Sequence, residues 1–270
     1  MTDLFDIRGR VAIVTGGYGV LGGSMARALA AAGARLAVLG RRADAAEALV
    51  HELRASGADA MPLIADVVDA DALRAARTTV LEAWGSVDIL VNAAGGNVAR
   101  SRTDGVPPFA MPLDAFDEVL RLNLHGTVQP SLVFGEAMAA RGKGSIVNIS
   151  SMASTQALSG VMGYSAAKAA VENFTRWLAV DLARQCGDGL RVNAISPGFF
   201  LATQNRAVLV NADGTWTARA QAVLAKTPMG RFGAHEELNG ALRFLVSDAA
   251  SFVTGTVLAV DGGFSAFSGV

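Results

Sequence analysis

Short β-branched runs alternate along the chain with longer stretches rich in alanine and leucine. Val11–Thr15, Arg35–Leu39, Ala60–Ala65, Asp88–Ala93, Ser145–Ser150, Arg191–Ser196 and Thr256–Val260 are short runs rich in apolar residues, most of them β-branched or leucine. That is the pattern of strands buried on both faces. Between them apolar residues recur at helical spacing, as at Leu21, Met25, Leu29 and Ala32, where Gly33 supplies a C-terminal stop. Further helices are predicted near residues 43–56, 71–84, 114–141, 163–186 and 235–246. Strands alternating with helices require βαβ crossovers, hence a parallel sheet covered on both faces. No Pro/Ser-rich linker or repeat breaks the alternation over residues 1–270, so one doubly wound, Rossmann-type α/β domain with seven strands is predicted.

Composition narrows the function classes. The 23 Lys and Arg against 24 Asp and Glu give a net charge of −1, without the positive excess that nucleic-acid or polybasic membrane binding needs. The single cysteine, Cys186, excludes an intrachain disulfide and fits a reducing compartment. A mean hydropathy of +0.37 raises the question of a membrane span. The uncharged stretch Gly144–Ala167, however, carries Ser145, Asn148, Ser150, Ser151 and Ser154 among other polar residues that hydrocarbon would penalise. The N-terminal MTDLFDIRGR holds acids and no apolar core, unlike a signal peptide. A soluble cytoplasmic protein is expected. His51, His125 and His235 are scattered without ligand spacing, so no metal site is expected.

In doubly wound sheets ligands bind beyond the carboxyl ends of the strands. The first strand runs into Thr15-Gly16-Gly17-Tyr18-Gly19-Val20-Leu21-Gly22, with Gly17, Gly19 and Gly22 in GxGxxG spacing. Glycines there let the backbone approach a pyrophosphate, which the following helix N-terminus stabilises. A plain turn is the competing reading, but a strand before and an amphipathic helix after are the context the motif requires. The second strand ends at Gly40-Arg41-Arg42, where an acid would read the ribose 2′-hydroxyl of NAD. Two arginines instead suit a 2′-phosphate, so NADP(H) is favoured and NAD(H) left open. A solvated arginine pair at a helix start is the bland alternative.

Tyr164 and Lys168 stand four residues apart near the start of a helix, on one face. Tyrosine is a poor proton donor or acceptor at neutral pH. Lowering its pKa by roughly 3 units takes about 4 kcal/mol, which a nearby ammonium and a cationic nicotinamide would help supply.

Together these residues resemble the short-chain dehydrogenase/reductase family over essentially the whole chain. The resemblance implies a catalytic tetrad of Asn123, Ser151, Tyr164 and Lys168. Tyr164 would be the general acid–base, and Lys168 would hold the nicotinamide ribose and lower the tyrosine pKa. Ser151 would polarise the substrate carbonyl, its spacing to Tyr164 favouring it over Ser150, and Asn123 would hold a relay water. Asn92-Ala93-Ala94-Gly95 matches the signature after the fourth strand, and Asp66-Val67 the adenine-contacting pair after the third. Pro197-Gly198, with Phe200 and Thr203, matches the nicotinamide side. The family's usual glycine is replaced by Val20, with Gly19 beside it, and its usual threonine by Ala202.

Within the family, TGGYGVLGGSMA, PGFFLATQNR (197–206) and DGGFSAFSGV (261–270) resemble the D-mannonate oxidoreductase, or fructuronate reductase, branch. Gluconate 5-dehydrogenase and 3-oxoacyl-carrier-protein reductase activities are the enzymatic alternatives, and a nucleotide-sensing binding protein that lost activity is the alternative of another class. The resemblance implies a homotetramer and a small-molecule substrate covered by a loop at about 197–232. A sugar acid needs a cation for its carboxylate: Arg206 is expected first and Arg100 second, with Asn97, Gln204 and Asn205 meeting hydroxyls. For Arg102 a solvated or helix-capping place is expected.

Overall fold

The computed structural model describes residues 3–105, 107–201, 206 and 208–269. Seven strands, β1 (Val11–Thr15), β2 (Arg35–Gly40), β3 (Ala60–Ile64), β4 (Ile89–Asn92), β5 (Gly144–Ile149), β6 (Leu190–Pro197) and β7 (Val257–Val260), form one sheet. Its order is β3-β2-β1-β4-β5-β6-β7, and every neighbouring pair is parallel. The order reverses between β1 and β4, so their carboxyl ends open a crevice. Pro62 lies in β3, an edge strand, where its missing N–H costs no central ladder bond.

Alternate side chains of each strand feed two cores. Ala12 and Val14 join the core under α1 (Val20–Ala31), α2 (Ala43–Ala55) and α8 (Glu237–Val246), through Met25, Leu29, Leu49, Val50, Leu242 and Leu245. Val11 and Ile13 join the opposite core under α3 (Ala70–Trp84), α5 (Gly126–Arg141) and α6 (Met162–Cys186), through Leu73, Val80, Phe134, Met138 and Leu178. Such two-faced burial is why these strands read as runs rich in apolar residues. The long helix predicted over 114–141 is instead α4 (Leu113–Leu120), a π-turn at Arg121–His125, and α5. A further helix, α7 (Ala218–Lys226), capped by the Thr217 hydroxyl on the Ala220 N–H, was not foreseen. Among the described residues no helix is long and apolar enough to cross a membrane.

Candidate active site

A cleft of about 620 Å³ runs along the carboxyl edge of the sheet. All described residues expected to hold the cofactor line it, except Asn92. At the end of β1, the Thr15 hydroxyl accepts the N–H groups of Ala93 and Ala94, both at 3.1 Å, tying the two sides of the crevice together. Gly16 has φ +61°, and a β-carbon on Gly22 would collide with the Gly16 carbonyl, so turn and helix meet backbone to backbone. Helix α1 starts after Gly19 with no capping side chain and no acid in its first turn. Its free N–H groups and positive dipole end suit a pyrophosphate. The turn therefore fits a dinucleotide.

At the β2 end of the cleft, the Tyr18 ring packs over Gly40, and the Tyr18 hydroxyl accepts the Arg42 N–H at 3.1 Å. The Arg42 guanidinium lies 4.8 Å from the Tyr18 ring centroid, a cation–π contact. Arg41 is exposed and pairs with Asp66 at 3.6 Å, while Asp66 also accepts the Val68 N–H. Val67 packs against Gly126.

Deeper in the cleft, Ser151 follows β5 in extended conformation, and its hydroxyl accepts the Ala153 N–H at 3.2 Å. Tyr164, in the first turn of α6, lines the same cleft. One turn on, Lys168 is buried and donates to the Ile149 carbonyl at 2.7 Å, its ammonium 5.5 Å from the Tyr164 ring centroid. Burial pushes the Tyr164 hydroxyl above its ordinary value of 10, with the Ser151 hydroxyl opposing the shift. Burial pulls Lys168 down to about 8. Desolvation outweighs a neighbouring ammonium whose close contact is a carbonyl instead.

Ser150 turns away from this group. Its hydroxyl donates to Glu172 at 2.9 Å, and Ser154 donates to the same oxygen. Glu172 is buried one turn beyond Lys168 and is paired with Arg176 at 3.3 Å. Sequence reading missed this support for the Ser151 turn; its one signal was a carboxylate four residues past the lysine.

Asn123 lies in the π-turn between α4 and α5, a helix distortion common at functional sites. Its side chain accepts the Gly96 N–H at 3.0 Å and donates to the carbonyls of Gly96 at 2.8 Å and Val119 at 2.9 Å. Both amide donors are thus spent on backbone, which clamps the Gly96 segment beside Gly95 and Lys168. Asn92 is likewise buried. It donates to Asn148 at 2.9 Å and Ser131 at 2.8 Å behind the cleft, so its side chain supports the sheet instead of facing the cofactor.

The substrate end departs most from expectation. Asn97 lines the cleft, accepting the Ser101 hydroxyl at 2.8 Å. Arg100 does not line it and pairs with Asp114 at 2.5 Å on the surface, and Arg206 is exposed outside the cleft lining. Arg102 and Arg219 line it instead. Thr203, Gln204 and Asn205, with Ala202, lie outside the described residues.

Known proteins share this architecture. A family model described as enoyl-(acyl carrier protein) reductase matches residues 19–265. The uncharacterized oxidoreductase UxuB of Bacillus subtilis is 43% identical over 275 residues, covering 98% of each chain. A crystal structure from Haemophilus influenzae, provisionally a D-mannonate oxidoreductase and holding NAD, matches with a TM-score of 0.92 at 39% identity over 98% of both chains. A Burkholderia cenocepacia gluconate 5-dehydrogenase in complex with NADP and tartrate matches with a TM-score of 0.86 at 35% identity, again over 98% of both.

Proposed function

We propose that this chain, which belongs to the short-chain dehydrogenase/reductase family, interconverts the ketone and secondary alcohol of a sugar acid. The substrate is of the D-mannonate/D-fructuronate type, and NADP(H) is preferred over NAD(H). The observation that carries the chemistry is the meeting of Ser151, Tyr164 and buried Lys168 on the wall of one cleft, with the lysine one turn beyond the tyrosine.

Bound nicotinamide supplies or accepts the hydride at the substrate carbon. Ser151 donates a hydrogen bond to the carbonyl oxygen, and the Tyr164 hydroxyl delivers the proton to that oxygen in reduction and removes it in oxidation. Lys168 would hold the nicotinamide ribose, and Asn123 keeps the Gly96 backbone in place beside Lys168. Pro197, Gly198 and Phe200 wall the nicotinamide side. Arg41 and Arg42, at a strand end that carries Gly40 in place of an acid, support the preference for a 2′-phosphate. Exposed Leu132 on α5 and exposed Trp177 and Val180 on α6 support a homotetramer, which light scattering would measure.

The test is a multi-turnover assay of NADPH oxidation with purified protein and a keto-hexuronate, with the product identified as the aldonate. Binding of NADPH with no turnover on any ketone would make the chain a nucleotide-binding protein instead.

A further inference from the structure

Beyond Ser151 and Tyr164 the cleft is walled mainly by apolar side chains, among them Leu158, Phe199 and Leu209. The charged residues lining that end, among the described residues, are Arg102 and Arg219. Asp66, the carboxylate that lines the cleft, sits at the opposite end beside Arg41. Asp104 stands behind the two arginines. It accepts Arg102 Nε and Nη2 on one oxygen at 2.7 Å and pairs with Arg219 Nη1 through the other at 3.6 Å.

The same cluster is joined to the catalytic loop. Arg219 donates through its two Nη atoms to the hydroxyl and carbonyl of Ser159, at 3.0 and 3.1 Å, and Ser159 lies on the segment running from Ser151 to Tyr164. Thr103 donates to the Gly160 carbonyl at 3.3 Å, and Gly160 leaves room for Asp104 where a β-carbon would collide. The loop after β4, the Ser151–Tyr164 segment and the first turn of α7 therefore converge on two guanidinium groups. Each has five donors, and the bonds above leave Arg102 Nη1 and Arg219 Nε available.

We propose that Arg219 and Arg102, spaced by Asp104, form the subsite for the substrate carboxylate, with Arg219 the principal ligand. This deepens the sugar-acid reading and rests on it. Two cations against one buttressing carboxylate leave a net positive charge at the end of an apolar cleft, and a planar guanidinium grips a carboxylate through paired N–H groups. A neutral polyol would gain from the same groups only the weaker hydrogen bonds to uncharged hydroxyls.

The test has two arms. Wild-type protein saturated with NADPH, which cannot oxidise an alcohol, is titrated calorimetrically with D-mannonate and with D-mannitol, and reduction of D-fructuronate is compared with that of D-fructose. Arg219→Met should weaken D-mannonate binding and raise KM for D-fructuronate by roughly 10–100-fold more than KM for D-fructose, while any loosening of the Ser159 segment lowers kcat for both sugars alike. Arg102→Met should do the same more weakly, and Arg219→Lys should recover part of the loss. Wild type that binds D-mannonate while Arg219→Met binds it equally, or loses neutral and acidic ligands alike, would overturn the subsite. Wild type that prefers the neutral sugars would overturn the sugar-acid reading itself, and the subsite with it.

Discussion

The Tyr18 ring fills the space that any side chain at Gly40 would need, since a β-carbon there would collide with the ring. In this fold that position is where an acid would read an unphosphorylated ribose. The ring also accepts the Arg42 N–H through its hydroxyl and carries the Arg42 guanidinium on its face. Cofactor selection is therefore a matter of packing as well as charge. Gly40→Asp alone should lower stability by about 1–3 kcal/mol, the usual cost of overpacking, and weaken both cofactors. Combined with Tyr18→Ala it should recover stability and shift preference toward NAD(H). Thermal melts and cofactor titrations read both effects, and a single variant that simply switched to NAD(H) at wild-type stability would contradict the packing argument.

Arg41 is exposed, and among the described residues its ion pair is with Asp66 at 3.6 Å. Arg41→Ala should weaken NADP(H) by about 1.5–3 kcal/mol, the range for a hydrogen bond to a charged group, with NAD(H) little changed. Equal losses in fluorescence titrations of the two cofactors would mean that the arginine supports the loop without reading a phosphate.

Lys168 gives a pH signature of opposite sign to a surface lysine. Its value of about 8 lies below the ordinary 10.5, so its buried charge opposes folding below pH 8, and that cost fades as pH rises toward 10.5. Over the same window Tyr164 remains protonated, because burial holds it above 10. The stability of Lys168→Met relative to wild type should therefore fall steadily from pH 7 to pH 10 in urea denaturation of the cofactor-free proteins. A pH-independent difference would show that Lys168 is not discharged by burial.

Most of this molecule was legible in its sequence, and the exceptions have physical causes. Strands buried on both faces announce themselves as apolar runs, and all seven appear within one or two residues of their predicted ends. The glycine turn, Ser151, Tyr164 and Lys168 come together at one cleft because strand ends and one helix face carry them there, a spacing that the sequence displays and the family resemblance interprets. The π-turn at Arg121–His125 was missed because a single inserted residue hardly disturbs apolar periodicity. Helix α7 was missed because its polar surface lies in a segment that reads as loop, and Arg219 was missed with it. Arg100 and Arg206 illustrate the same limit. Being near a strand end does not say which way a side chain turns, and Asp114 draws Arg100 to the surface.

Tyr164→Phe keeps the ring that packs near Lys168 but removes the transferable proton. Turnover should fall by about 10²–10⁴-fold, the typical contribution of general acid–base catalysis, while NADP(H) binding is retained. Near-normal turnover in the purified variant would remove Tyr164 from its assigned role.

The most direct test of the account is the ratio of kcat/KM for reduction of D-fructuronate against D-fructose and an acyl thioester, each measured with NADPH and with NADH. The account predicts that D-fructuronate with NADPH is the best pair, by at least about tenfold on each axis, the effect of one charge-assisted contact of about 1.4 kcal/mol. A higher kcat/KM for the neutral sugar or the thioester, or for NADH with every substrate, would contradict it.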